Sequence, residues 1–395
     1  MDVIYNLIQI TLGSMTILLV VALGGLLSER SGVTNIALEG IMIFGAFLGI
    51  WAIQGFEVYP YSPMTKFAIL IVTFSIGLIV GYFILQLIRK FLLKKEEPMK
   101  IKDLFIKESP KFNLLFILGV ALIIGLILFF ILSANPMSVS LVLLMGLAVA
   151  GVMGGLYAMV HGYAAIHLKS NQIISATALN LFAPALAIFT RRVITQGGQQ
   201  IKFDSNFIIQ KVPLLGDIPV LGDLFFKRVY LSFYVGLVIL IIVAFVVNKT
   251  KFGLRLRACG ENPHAADSLG INIYKLRFKA VALSGVLAGM GGVMFVTTFS
   301  NEFNVTVAGF GFLAIAVLIF GNWRPSRILL AALFFGFMRT IASSYSSIGF
   351  LRDLALPGQI YDMIPYVATL VVLMFASKNS RAPKALGQVY DQGKR

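Results

Sequence analysis

The sequence predicts an all-α, polytopic membrane bundle of about nine to eleven transmembrane segments, with broken or re-entrant helices among them. Three observations carry that prediction. Hydrophobic residues make up 58% of the 395 and charged residues 13%, with a mean hydropathy of +0.89, whereas a soluble domain is about 25% charged. The apolar residues gather into runs close to the ~20 residues that cross a hydrocarbon core. Inside lipid the backbone must satisfy its own hydrogen bonds, which favours helices over open sheet. Eleven such runs are centred near residues 17, 44, 77, 122, 149, 181, 239, 288, 312, 335 and 367.

The first run, residues 12–27, follows an amino end with Asp2 as its one charged side chain and has no small-residue cleavage site. It reads as a span that inserts the protein rather than a leader. Residues 28–40 are then polar for a turn entering a membrane. The apolar run 41–53 barely spans on its own, so the segment either begins near Val33 or is a broken helix. Both outcomes place Asn35 and Glu39 at membrane depth, where polar groups are rare and face cavities. The competing reading is an interfacial linker with Glu39 facing headgroups or water.

Residues 52–147 read as an inserted helical pair, with apolar runs at 67–88 and 114–132. Between them a segment with eight bases and four acids reads as a solvated loop that meets anionic lipid. Small residues at Gly151, Gly154 and Gly155, and at Gly285, Ala288, Gly289 and Gly292, allow helices to approach closely in lipid. Residues 191–230 are the longest external connection, rich in turn formers such as Gly197-Gly198, Pro213, Gly216-Asp217 and Gly222-Asp223. They are read either as a surface for an external partner or as a simple insertion. Residues 249–279 form a polar, basic island. Within it Asn262 caps a short helix, Pro263 takes its first position and Gly270 ends it; Ala265, Ala266 and Leu269 supply a small apolar face. A loop that carries such a helix reads as a cytoplasmic docking element. Arg339, the other intramembrane charge, either lines the pathway or snorkels to an interface, the second being the preferred reading.

Net charge is +16, from 33 Lys and Arg against 17 Asp and Glu. If all eleven segments cross with the N-terminus outside and the C-terminus cytoplasmic, 24 of the 33 bases lie on the cytoplasmic side. The surplus therefore reports topology, and no nucleic-acid partner is expected. The single Cys259 excludes an internal disulfide and a multi-thiolate metal site, and His161, His167 and His264 read as boundary or loop residues. No phosphate-binding loop is present: residues 387–394 have five residues between their glycines where the motif needs four. With no nucleophile–base pair and no metal-ligand cluster, the chain is expected to be non-catalytic and to hold no cofactor. Uphill transport would draw on another chain or on an ion gradient.

Four stretches carry a family resemblance: residues 23–40 (LGGLLSERSGVTNIALEG), 170–181 (SNQIISATALNL), 257–271 (RACGENPHAADSLGI) and 320–325 (FGNWRP), the last followed by 364–370 and 381–387. They resemble the membrane-spanning permeases of bacterial ABC importers, in the nucleoside-type branch of the branched-chain amino acid/ribose permease superfamily. The departure is the block at 52–147, longer than that family usually has there. The resemblance implies a multi-pass protein of the bacterial plasma membrane that moves nucleosides by alternating access. Its implied partners are a cytoplasmic ABC ATPase that binds ATP and Mg, a second permease chain of related sequence and an extracytoplasmic substrate-binding lipoprotein.

Carried onto this chain, Arg257, Gly260, Asn262, Pro263, Ala265, Ala266 and Gly270 would serve ATPase coupling. Asn35, Glu39, Gln172, Thr177 and Asn180 would line the substrate pathway, offering the neutral donors and acceptors that ribose hydroxyls and base amides need. For Thr177 and Asn180, hydrogen bonding between helices is an equal reading. The alternatives are a permease for a sugar or a branched-chain amino acid, an ion-coupled secondary carrier, or a non-transporting scaffold.

Overall fold

The computed structural model describes residues 2–94, 110–195, 200–219, 221–354, 356–376 and 381–393. Among them nine helices are long and apolar enough to cross a bilayer. They are α1 (Asp2–Glu29), α2 (Leu38–Phe56), α3 (Pro63–Lys94), α4 (Pro110–Ala134), α5 (Val139–Gly162, extended by a π-turn over Tyr163–His167), α6 (Gln172–Thr195), α7 (Leu231–Lys249), α10 (Ile273–Phe299) and α12 (Pro325–Ser343). Two short helices, α8 (Lys251–Glu261) and α9 (Pro263–Ser268), lie between α7 and α10.

The runs near 312 and 367 depart from the expectation of whole spans. The first holds α11 (Phe310–Phe320), eleven residues long and so only ~16 Å in length. Residues 300–309 ahead of it are not continuous helix, and Val305, Ala308 and Gly309 take positive φ. The second is divided into α13 (Gly358–Asp362) and α14 (Ile364–Ala376), with Pro357 and Pro365 restricting the backbone on either side of the division.

Helix α10 is the centre of the bundle and packs on α1, α2 and α5. The expected small-residue contacts form there. Gly154 of α5 faces Gly285 and Gly289 of α10, and Gly45 of α2 faces Gly289 from another side. A Cβ at Gly289 would run into the Ala150 carbonyl oxygen, a backbone atom that cannot swing away. Gly289→Val is therefore expected to destabilise the bundle by about 1–3 kcal/mol, seen as a lower melting temperature in detergent. An unchanged melting temperature would refute the close approach.

Helices α3 and α4 pack mainly on each other, with Gly77 against Ala121, and reach the bundle through α3 on α2 and α5. Leu115, Ile123, Ile127 and Phe130 of α4 stand exposed, as lipid-facing side chains do. Most of the charged connection, residues 95–109, lies outside the described residues, as do Gly197-Gly198 and Lys394.

The ends of the bundle are tied by contacts between distant loops. At one end Arg30 donates to the Trp323 carbonyl at 2.8 Å, the Ala385 amide to Gly260 O at 2.8 Å and the Gly387 amide to Gly32 O at 3.0 Å. Lys169 meets Asp391 at 3.0 Å there. The basic segments around residues 30, 169, 249–279, 324 and 381–393 thus share one end. At the other end two small antiparallel ribbons form, β1 (Ile201–Lys202) with β4 (Glu302–Phe303) and β2 (Ile208–Lys211) with β3 (Lys227–Tyr230). Glu57 accepts the Ser205 amide at 2.8 Å and Gln9 donates to Lys227 O at 3.1 Å, fastening that connection to α2 and α1.

Candidate functional site

Two breaks in the helical spans meet inside the bundle. Helix α1 stops at Glu29, and residues 30–37 run on without helix before α2 starts at Leu38. Helix α11 starts at Phe310 after an equally irregular approach. The free amides at a helix N-terminus need acceptors and carry a partial positive charge. Glu39, in the first turn of α2, supplies both needs: Oε1 accepts the Gly309 amide at 3.0 Å and Oε2 the Gly311 amide at 2.7 Å. Glu39 is only 8% exposed, which rules out the interfacial-linker reading.

The break before α2 is clamped by side chains from three helices. Asn35 donates to Ser284 Oγ of α10 at 3.0 Å, and its Oδ1 accepts the Ala37 amide at 3.2 Å. Asn180 of α6 accepts the Gly40 amide at 2.7 Å and donates to Ile36 O at 3.0 Å. Gln172, at the start of α6, accepts the Thr34 amide at 2.8 Å. His161 of α5 lies 3.1 Å from Thr34 O through Nε2 and 2.9 Å from Ser175 Oγ through Nδ1. These bonds satisfy irregular backbone at membrane depth, the condition under which it is tolerated.

Four of the five expected pathway residues, Asn35, Glu39, Gln172 and Asn180, are therefore brought together. Thr177 is not: it is exposed on another face of α6 and donates to Ile173 O of its own helix. His161, in the last turn of α5, is completely buried at the break. Arg339 lies 3.8 Å from Asp362, with its guanidinium carbon 5.6 Å from the Phe310 ring centroid. Phe295 and Phe299 pack on Phe310, and the Tyr366 hydroxyl sits against Gly309. Of this group beside the α11 N-terminus only Arg339 stands out in the sequence, because 33 phenylalanines give no local signal to choose among.

The short helix expected after Asn262, α9, forms. Asn262 Oδ1 accepts the Ala265 amide at 3.0 Å, Pro263 occupies the first turn and Gly270 ends the segment at φ +78°. Its apolar face is divided, however. Ala266 and Pro263 are buried against the chain, while Ala265, His264 and Leu269 remain exposed, Leu269 at 82%. Helix α8 was missed; its signals are Thr250, whose Oγ1 accepts the Gly253 amide at 3.2 Å, and the buried stripe Gly253, Leu256, Cys259 and Gly260. Gly260 packs under the Arg30 backbone and against Pro383, away from the exposed side of α9, and Arg257 lines a separate pocket beside Arg30. Burial pushes the Cys259 thiol up from its ordinary value, so it is an inert packing group.

The C-terminal tail joins α9 to the break. Arg277 of α10, 3% exposed, donates through Nε to Ser31 O at 3.0 Å and through Nη1 to Gln388 O at 3.0 Å. The Tyr390 ring lies tilted against two others, 5.1 Å from His264 and 5.4 Å from Tyr274, and Gln392 reaches Asp267 at 3.3 Å. Next to this seat Glu29 accepts the Trp323 indole N–H at 2.6 Å. A second buried carboxylate thus accompanies Glu39, and it couples the end of α1 to the α11–α12 turn. At the opposite end a cavity of about 810 Å³ opens between the start of α1, the β2–β3 ribbon and the end of α12, lined by Tyr5, Gln9, Gln210, Arg228 and Ser344 among others.

Residues 7–95 and 115–373 match the family described as branched-chain amino acid transport system permease components. The chain is 32% identical over 396 residues to the nucleoside ABC transporter permease NupC of Lactococcus lactis subsp. cremoris, covering 99% of both chains. It is 34% identical over 379 residues to the guanosine ABC transporter permease NupQ of Bacillus subtilis, covering 96% of this chain and 94% of that one. It is 30% identical over 273 residues to a putative glucose ABC transporter permease, TsgC13, of Haloferax volcanii, covering 63% and 81%. No solved structure matches.

Proposed function

The chain belongs to the family of branched-chain amino acid transport permease components, and on that premise we propose that it is the membrane-spanning subunit of an ATP-driven importer of nucleosides. The observation that carries the transport reading is the head-on meeting of α2 and α11 through Glu39. Broken helices whose N-termini end inside a bundle, as the eleven-residue α11 does, are how transporters expose polar backbone to a pathway. The nucleoside cargo is supported by the two relatives that match along almost the whole chain, each named for nucleoside or guanosine transport.

In this reading the basic end faces the cytoplasm, and a separate ATPase holds α9 by its exposed His264, Ala265 and Leu269. Closure of the ATPase shifts α9. Tyr390 and the tail carry the shift to Arg277, and Arg277 passes it to Ser31 and the break. The pathway runs beside the break. Asn35, Gln172 and Asn180 hold the broken segment in place, and Glu39 joins it to α11. Phe295, Phe299 and Tyr366 offer faces on which a base can stack, and Arg339 a cationic donor. A related second permease completes the pore, and an extracytoplasmic lipoprotein delivers the nucleoside to the ribbon-bearing end.

The test is uptake of labelled guanosine into vesicles that carry the chain with its ATPase and second permease. Uptake is expected to require enclosed ATP, to survive collapse of proton and sodium gradients, and to be competed by adenosine but not by glucose or leucine. Gradient dependence would replace the ATP-driven reading with a secondary carrier, and competition by glucose alone would replace the cargo.

A further inference from the structure

At the inner end a cavity of about 360 Å³ opens between the last turn of α7 and the first turn of α12. Arg30, Arg257 and Arg324 converge on it, with Asn248 and Ser326 as neutral polar neighbours, and no carboxylate lines it. None of the three arginines pairs with an acid among the described residues. Arg30 spends Nε and Nη2 on Trp323 O, and Arg257 spends Nε on Gly253 O, leaving the remaining N–H groups of both for another acceptor. Three like charges gathered around one cavity call for an anion. Burial, with Arg257 and Arg324 adding to it against Glu261, holds the Arg30 guanidinium below its ordinary value.

The surroundings identify the anion. From Asn248 the same face of α7 continues through Phe245 to Ile241, and from Ser326 the same face of α12 continues through Leu330 and Leu333 to Phe337. All five apolar side chains are exposed. The cationic pocket therefore lies at the foot of two apolar stripes that face the hydrocarbon core. A soluble phosphate would match only the pocket, whereas a lipid matches the pocket and the stripes together. Basic pockets between spans on the cytoplasmic side are suited to anionic headgroups.

We propose that Arg30, Arg257 and Arg324 bind the phosphate of an anionic phospholipid of the inner leaflet, whose acyl chains lie along the outer faces of α7 and α12. The lipid would fasten α8, which carries Arg257, to the start of α12, and so brace the docking region against the bundle. Nucleoside transport is not a premise of this assignment, and its assay contains no nucleoside, so the two readings fail separately.

The test is native mass spectrometry of the full-length chain in detergent, titrated with phosphatidylglycerol, with phosphatidylcholine of the same acyl chains and with inorganic phosphate. One phosphatidylglycerol is expected to bind roughly tenfold or more tighter than phosphatidylcholine. Arg257→Gln with Arg324→Gln should erase that preference. Arg257→Lys with Arg324→Lys should keep most of it, and Lys251→Gln with Arg255→Gln, which removes equal charge outside the pocket, should leave it intact. If the glutamine pair lowers the melting temperature, Arg324→Gln alone supplies the same readout at an exposed position. The proposal is overturned if the glutamine pair retains the preference or if the control pair loses it equally. Displacement of the lipid by inorganic phosphate at matching concentration would assign a soluble anion instead. Displacement by the ATPase would assign the arginines to a partner's carboxylate.

Discussion

Glu39→Leu is expected to abolish ATP-driven uptake and to lower the melting temperature. The leucine is close in size but leaves the Gly309 and Gly311 amides without acceptors at the buried start of α11. Each buried, unsatisfied amide costs roughly 1–3 kcal/mol, and the helix dipole loses its compensating charge as well. Glu39→Gln keeps one carbonyl acceptor and replaces the other with a donor that faces an amide. It should therefore fold into a less stable bundle and transport more slowly than the natural chain. Melting curves and uptake rates on the same vesicles check both variants. Wild-type values for Glu39→Leu would show that the carboxylate does not hold α11.

Arg277→Met is expected to separate ATP hydrolysis from transport. It removes the donors to Ser31 O and Gln388 O, charge-assisted bonds of about 1.5–3 kcal/mol each, while keeping apolar volume in a buried site. The exposed face of α9 is untouched, so the ATPase should still bind and turn over. The measurement is ATP hydrolysed per guanosine moved, expected to rise several-fold. Arg277→Lys retains the charge but not the forked reach, and should fall between the two. An unchanged ratio in Arg277→Met would remove Arg277 from the link between docking helix and break.

What the sequence revealed follows the range of the forces involved. Asn262, Pro263 and Gly270 act within one short segment, so the cap, start and stop of α9 could be read directly. Glu39 and Asn35 stood out as polar groups ahead of an apolar run too short to span. Their partners lie far along the chain, Gly309 and Gly311 about 270 residues from Glu39 and Ser284 about 250 from Asn35, and no local pattern announces them. Glu29 and Arg277 drew no notice, and His161 read only as a boundary or loop residue, for the same reason: each is ordinary until the fold supplies Trp323, Ser31 or Thr34. The burial of Ala266 beside exposed Ala265 depends on how α9 rests on the chain, which helical spacing alone does not fix. The half-length of α11 was concealed because residues 300–309 carry enough apolar side chains to extend its run, although positive φ at Val305, Ala308 and Gly309 keeps them out of a helix.

The strap formed by residues 381–393 has a consequence for biogenesis. It leaves the ribosome after the segments it closes on, Gly32, Gly260 and Arg277. Until residue 388 emerges, the Gly32 and Gly260 carbonyls and one arm of Arg277 lack their final partners. A chain cut short of residue 385 would therefore leave that seat unfinished at this end of the bundle.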